Sequence, residues 1–472
     1  MVDASPPARD LTAVFKAYDV RGLVGTEIDE DLARAVGAAF VAVLSAPAVV
    51  VGHDMRPSSP GLAGAFADGA ASAGADVTMI GLASTDQLYF ASGHLDVPGA
   101  MFTASHNPAQ YNGIKLCRAG ARPVGLDTGL AEIRDRVAEA LSTGASTGTS
   151  SGAGRQGSIT EHDVLDAYAA HLLALAPVGG SRPLRVVVDA GNGMAGLTAP
   201  AVLDRLAAHR DGAVEVVGMY LELDGTFPNH EANPIDPANL VDLQRRVTEV
   251  GADVGLAFDG DADRCFVVDE AGRAVSPSTL TALIAARELA REPESAVIHN
   301  LITSRAVPQI VVELGGTPVR TRVGHSFIKA TMAETDAVFG GEHSGHFYFR
   351  DFWRADSGML AALHTLAALA EGDAPLSALL ADYERYVASG EINSTVDDQA
   401  AVLGVLESTY GGREGVTTDH LDGLTVEAER WWFNVRASNT EPLLRLNAEG
   451  EDEETMTAIR DEVLAVIRGG AA

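Results

Sequence analysis

Along the chain, short apolar runs alternate with longer stretches in which apolar residues recur at helical spacing. The runs Ala48–Val51, Arg185–Val188, Val254–Phe258, Ala296–Ile298 and Ala337–Phe339 predict strands, and Asp31–Leu44, Leu240–Val250 and Leu280–Arg291 predict helices. This alternation predicts α/β layers. A weak repeat runs through it. From Ala48, from Leu184 and from Ala296 an apolar strand is followed by a loop and a helix, and each time a later strand runs into a polar, glycine-containing loop. Those loops lie within Gly99–Pro108, Val254–Arg264 and Ala337–His346. Three similar α/β domains would set three equivalent loops around one cleft. From about Ser389 the pattern changes to a smaller α+β domain with a strand at Trp431–Val435.

Between the predicted helices Leu130–Leu141 and Val164–Leu175, the stretch Ser142–Gly154 holds only Ser, Thr, Gly and Ala. Such a composition cannot bury a core and marks a boundary. The expected division is therefore 1–150, 151–272, 273–388 and 389–472, one loop of interest in each segment.

Composition narrows the chemistry. The 472 residues are too many for one ordinary core. The formal net charge of −31 opposes nucleic acid and anionic lipid as partners, so an anionic substrate would need local positive charge in its site. No apolar run reaches membrane-spanning length, and the first ten residues carry no signal pattern. The two cysteines, Cys117 and Cys265, are far apart, which fits a reduced, cytoplasmic setting without disulfides. Lys16, Lys115 and Lys329 are the only lysines, and each falls in a segment with chemical motifs. Unlike arginine, lysine can pass a proton.

Four loops carry those motifs. In Thr103–Pro108 (TASHNP), Ser105 follows an extended segment. Asn112-Gly113 predicts a hairpin turn, and the returning strand would bring Lys115 toward the serine. A serine exposed beside a cation suits covalent phosphoryl chemistry, whereas the absence of a G-x-S-x-G elbow argues against a serine hydrolase. In Asp259–Arg264 (DGDADR), Asp259, Asp261 and Asp263 alternate with small residues. They can converge on one hard cation, with Arg264 offsetting charge or holding phosphate. Counting from Asp259, Glu270 falls where an EF-hand needs its twelfth residue. Arg264 stands where that loop needs glycine, however, and the flanks read as strands. In Gly341–His346 (GEHSGH), Glu342 and Ser344 can hold two neighbouring sugar hydroxyls, and His346 can move protons near neutral pH. In Arg436–Pro442 (RASNTEP), Arg436, Ser438, Asn439 and Thr440 crowd donors into a candidate phosphate cradle. A G-x-G-x-x-G at Gly191, Gly193 and Gly196 lacks the acid that should end the next strand, since Glu215 sits near that strand's start. It reads as a helix-starting turn rather than a dinucleotide site.

Together with Lys16–Gly22 (KAYDVRG) and Gly324–Lys329 (GHSFIK), these loops make the chain resemble the α-D-phosphohexomutase family, within it the bacterial phosphomannomutase/phosphoglucomutase group, over nearly its whole length. The resemblance implies three α/β domains and a smaller α+β domain around a central cleft. The enzyme would interconvert hexose 6- and 1-phosphates, mannose first and glucose also. It would use a phosphoserine at Ser105 and a 1,6-bisphosphate intermediate that also serves as activator. Mg²⁺ would sit on Asp259, Asp261, Asp263 and the Ser105 phosphoryl oxygen. Glu342 and Ser344 would select sugar hydroxyls, while Arg436, Ser438, Asn439 and Thr440 would grip the unreacting phosphate. Tyr18, Arg264 and His325 match further ligand-contacting positions, and Arg21, Lys115 and His346 match positions for proton transfer. A basic sugar contact of some relatives is not matched in His299–Thr303, with Arg305 as a substitute. Phosphoglucosamine mutase and a non-catalytic sugar-phosphate-binding relative are the alternatives. The second would be expected to have lost Ser105 or an aspartate, and all are present. Monomer and dimer are both compatible with the sequence.

Overall fold

In the computed structural model, which describes residues 10–143, 155–437 and 443–469, each head strand of the sequence repeat lies between two parallel partners. Ala48–His53 sits between Asp76–Leu82 and Gly99–Phe102. Leu184–Asp189 sits between Val214–Met219 and Val254–Phe258, and Ala296–Asn300 between Thr317–Thr321 and Phe339–Gly341. Parallel strands of this kind are covered on both faces, which is why they read as unbroken apolar runs. Gly99–Phe102 and Val254–Phe258 are buried at every position. After each of these two strands the chain turns back antiparallel, as Tyr111–Arg118 and as Cys265–Asp269. The loops 103–110 and 259–264 thus leave the carboxyl ends of parallel strands, where open α/β sheets place ligands.

The chain divides into two compact units. The first comprises Met1–Val275 and Ser344–Leu376. Its helices Glu30–Leu44 and Ser59–Ser72 share a core with the strands: Phe40 meets Phe66, and Phe66 meets Phe102 edge-on at 5.6 Å, just ahead of the serine loop. The hairpin of Phe347–Phe349 and Ala355–Asp356 and the helix Gly358–Ala370 also belong to this unit. The second unit comprises Ser276–His343 and Ser377–Ala472. It holds the Ala296–Asn300 layer and a five-stranded sheet. That sheet pairs Val387–Thr395 with Leu443–Gly450, then Trp431–Ala437, Leu424–Glu427 and Thr417–Asp419, all antiparallel. The helices Gln399–Tyr410 and Glu453–Gly469 bury Leu406, Ile459 and Val463 against Phe433 and Leu446. This is the expected α+β element.

Two local expectations are corrected. The strand expected at Ala337–Phe339 is displaced to Phe339–Gly341. Asn112-Gly113 is no turn but lies inside the strand Tyr111–Arg118. The Asn112 amide donates to the Ser58 and Ser59 hydroxyls. Gly113 is required for another reason: a Cβ there would stand 2.6 Å from the Val20 carbonyl oxygen and 2.8 Å from that of Thr103. The reversal instead spans 105–110. The strands flanking Asp259–Arg264 pair directly with each other, which excludes an EF-hand's two helices. The glycine turn at 191–193 leads into the helix Ala195–His209, as expected of a helix-starting turn.

Candidate active site

Ser105 lies three residues past the end of Gly99–Phe102, and it holds a left-handed backbone, φ 49°. A non-glycine residue is kept there only when its surroundings over-determine it. The surroundings are explicit. Thr103 Oγ1 accepts from the Ser105 N–H at 2.9 Å. The guanidinium of Arg56, itself fully buried, donates to the carbonyls of Ser105 (3.0 Å), Asn107 (2.6 Å), Pro108 (2.9 Å) and Tyr111 (3.0 Å). Its Nε pairs with Asp54 at 3.2 Å, and Asp54 also accepts from Ser59 at 2.5 Å. Arg56 therefore gathers both ends of the loop onto one planar fork. Sequence reading missed it. The available signal was a charged pair, Asp54 and Arg56, set immediately after an apolar strand.

Ser105 is not the exposed serine expected but is buried at 2% exposure, because loop 259–264 covers it. Its hydroxyl donates to Asp259 Oδ2 at 2.8 Å. Gly260 lies so close that a Cβ would come 2.4 Å from the Ser105 carbonyl oxygen. Behind the loop, the Met194 N–H donates to the Gly260 carbonyl at 2.9 Å and the Thr85 N–H to that of Asp261 at 3.0 Å.

Asp259, Asp261 and Asp263 are all buried, and each contributes an oxygen to a set lying within 4.8 Å of one another. Lys115 reaches them from the neighbouring strand, Nζ donating to Asp261 Oδ2 at 2.7 Å and Asp263 Oδ2 at 2.6 Å. The cation expected beside the serine thus serves the carboxylates next to it. These two acids raise the Lys115 ammonium well above its ordinary value against the cost of burial. Burial, then Asp263 and Asp261, push the Asp259 carboxyl far above the carboxylate range, while Lys115 and Thr85 hold Asp261 below it. Asp261 Oδ1 and Asp263 Oδ1 are buried without a hydrogen-bond partner. A low-dielectric cluster of carboxylates with two unsatisfied oxygens fits a hard divalent cation with oxygen ligands.

His106 and Arg264 complete the rim. Arg264 Nη2 donates to His106 Nδ1 at 3.0 Å, and Arg264 Nε lies 3.4 Å from Asp259. Burial first, then Arg264 and Arg21, lower the His106 imidazole to about 2, so it is neutral. Arg21 is tied to Asn107 and Asp19, both at 2.6 Å. The His346 Nδ1–H donates to Asp356 Oδ2 at 2.9 Å and lies 3.7 Å from Asp263. Asp263 and Asp356 raise its imidazole value against burial. Asp356 went unread in the sequence because it follows the GEHSGH motif by ten residues with no pattern of its own. Ser344 is half-buried in this unit, and Tyr18 is half-buried at the start of the first strand.

The remaining predicted residues belong to the second unit. Glu342 is buried and accepts from Asn300 Nδ2 at 3.4 Å and the Gly324 N–H at 3.3 Å. Arg436 pairs with Glu391 at 2.6 Å, and Arg445 approaches the same carboxylate at 3.5 Å, so two guanidinium groups share one acid. Arg305 is no substitute sugar contact in this arrangement. It donates to the Ala428 and Glu429 carbonyls and lies over the Tyr386 ring. Ser438, Asn439, Thr440 and the side chain of His325 lie outside the described residues.

Comparison with known proteins converges on one family. Models of phosphoglucomutase/phosphomannomutase alpha/beta/alpha domains I, II and III match residues 12–143, 166–272 and 277–386, and the C-terminal domain matches 391–466. A phosphomannomutase of Salmonella montevideo is 41% identical over 456 residues, 96% of this chain and 98% of its own. The phosphomannomutase of Escherichia coli K12 is 39% identical with the same coverage. A solved phosphoglucomutase/phosphomannomutase family protein from Burkholderia thailandensis superimposes with a TM-score of 0.85 at 33% identity, over 98% of each chain.

Proposed function

Because the chain belongs to the phosphoglucomutase/phosphomannomutase family and is a hexose-phosphate mutase, we propose that it carries the phosphoryl group on Ser105. On this reading it interconverts mannose 6- and 1-phosphate, and the glucose pair as well, through a 1,6-bisphosphate that also acts as activator. The observation that carries the reading is the Ser105 hydroxyl held 2.8 Å from Asp259 within the buried carboxylate set. A phosphoryl group on that oxygen would stand against a buried carboxylate set suited to a hard cation.

Mg²⁺ would be held by Asp259, Asp261, Asp263 and the phosphoryl oxygen, and would supply charge neutralisation on the transferring group. The chain's own residues do the rest. Arg56 fixes the serine loop, so Ser105 Oγ needs no reorganisation to be in line. Neutral His106 leaves the cationic role to Arg264, which is placed beside the phosphoryl position. Asp356 occupies Nδ1 of His346, so Nε2 is the nitrogen left to exchange a proton with a sugar hydroxyl. Lys115 and Arg21 stand near enough to the same loops to share that task. Glu342 and Ser344 select sugar hydroxyls, with Tyr18 and His325 as further contacts. Arg436, Ser438, Asn439 and Thr440 bind the phosphate that is not reacting. The domain division 1–150, 151–272, 273–388 and 389–472 fits one such loop to each part. Among the described residues no helix is long and apolar enough to cross a membrane, and a cytoplasmic setting suits a chain with two buried free cysteines.

The test is a side-by-side assay of mannose, glucose and glucosamine 1-phosphates with trace bisphosphate, before and after exhaustive chelation. The reading predicts turnover of the first two, its loss on chelation and its return with Mg²⁺. Undiminished turnover without metal, or activity confined to the glucosamine phosphate, overturns it.

A further inference from the structure

Thr85 opens the helix Thr85–Leu95, whose cap, Ser84, accepts from the Gln87 N–H. The residue is fully buried, 176 positions from Asp261 in sequence, and holds it twice. Its N–H donates to the Asp261 carbonyl at 3.0 Å, and its hydroxyl donates to Asp261 Oδ2 at 2.6 Å. Lys115 Nζ donates to the same oxygen at 2.7 Å. Oδ2 is thereby loaded with two donors, whereas Oδ1 is buried with no hydrogen-bond partner. The helix is itself anchored. Asp86, its second residue, accepts from Tyr168 at 2.7 Å and Ser357 at 2.6 Å, and also from Ser84. A free first turn could not fix a carboxylate, but this one is pinned by its own cap and from two other elements.

From this asymmetry we propose that Thr85 is a positioning residue for the cation. It sets the rotation of the Asp261 carboxylate so that Oδ1, and not Oδ2, is the oxygen offered to a divalent ion. Outer-shell partners that orient a ligand typically contribute about ten- to hundredfold to metal affinity. The helix N-terminus also favours the ionised carboxylate beside it. This inference rests on the reading of Asp259, Asp261 and Asp263 as the cation site. Thr85→Val removes the hydroxyl with little change of shape and keeps the N–H, while Thr85→Ser keeps both donors.

Mn²⁺ is the probe, its free concentration read by electron paramagnetic resonance during titration of wild type, Thr85→Val, Thr85→Ser and Asp261→Asn. Metal-free melting temperatures of all four are measured beside it. The expected result is binding by wild type, its loss in Asp261→Asn, an increase in Kd of about tenfold or more in Thr85→Val, and near-wild-type affinity in Thr85→Ser. If Asp261→Asn loses Mn²⁺ while Thr85→Val binds as wild type does, Thr85 has no such role, and any fall in melting temperature marks it as structural only. If Asp261→Asn binds as wild type does, the cation site itself is misplaced and the Thr85 proposal falls with it.

Discussion

At the scale of the residue, the site is a set of groups held at a cost. Three buried carboxylates face one lysine and one arginine, and one of them, Asp259, is pushed up by burial and by its neighbours. The consequence for pH is the reverse of the usual carboxylate case. An aspartate whose folded value lies above its unfolded value of 3.8 binds its proton more tightly when folded. It therefore favours the folded state at acid pH and loses that contribution as pH rises toward neutrality. Buried histidines held neutral, His106 and His299 among them, act in the opposite direction over the same window, so the aspartate is isolated by difference: from about pH 6 to about pH 8 the metal-free wild type should lose melting temperature relative to Asp259→Asn, and that variant should lose any stabilisation by Mg²⁺. Differential scanning calorimetry in chelator checks this. An Asp259→Asn variant whose melting temperature changes over the window as the wild type's does, or one that is still stabilised by Mg²⁺, would contradict it. Much of this scale was legible beforehand, because three aspartates alternating with small residues have few uses besides a cation. Burial of Ser105 was not legible, since it follows from a loop 154 positions away lying over the serine.

At the scale of the element, the fully buried Arg56 makes a rigid body of an eight-residue stretch without secondary structure. Removing the guanidinium leaves Asp54 as a buried, uncompensated carboxylate, a change that costs about 3–5 kcal/mol. Arg56→Ala should lose stability on that order in denaturant unfolding. Arg56→Lys keeps the charge but cannot fork onto four carbonyls, so it should lose less stability and yet show a kcat reduced more than KM is raised. A lysine variant with wild-type kcat would show that the clamp does not position Ser105. The elements themselves were legible in the alternation of strands and helices, and the strand ladders simply run past the apolar runs, to His53, Asn300 and Ala437. Asn112-Gly113 misled because a sequence that makes good two-residue turns is also what a strand needs where two backbones press together. Turn chemistry is local, and the contacts that overruled it are not.

At the scale of the whole molecule, the net charge of −31 makes a sugar phosphate an unwelcome ligand everywhere except at local arginine clusters. The Arg436–Arg445–Glu391 group is one such cluster, with two cations to one acid. On the proposed reading, its grip on a phosphate would be blind to the configuration of carbon 2, as would Glu342 and Ser344 holding the hydroxyls of carbons 3 and 4. Discrimination between mannose and glucose needs a group paired with one epimer and unpaired with the other. Arg305, the basic residue best placed in sequence for it, is occupied by the Ala428 and Glu429 carbonyls. The ratio of the two kcat/KM values should therefore stay below a hundredfold, which corresponds to about 2.7 kcal/mol, near the worth of one buried hydrogen bond to a charged group. Steady-state kinetics on both 1-phosphates decide it, and a much larger ratio would mean that a residue reads carbon 2. The four-part order of the motifs was legible from sequence, whereas the division into two compact units was not, because Ser344–Leu376 groups with a segment that ends at Val275, across an intervening stretch that belongs to the other unit.

The most direct measurement concerns the phosphoryl carrier. Protein incubated with hexose 1,6-bisphosphate and Mg²⁺, then desalted, is analysed by intact-protein mass spectrometry and peptide mapping beside Ser105→Ala, whose fold is checked by its melting temperature. The account predicts one phosphate per chain, mapped to Ser105, discharged by added mannose 1-phosphate, and absent from a folded Ser105→Ala variant that has no mutase turnover. A wild type that turns over without acquiring phosphate at Ser105, or a Ser105→Ala variant with wild-type activity, would contradict it.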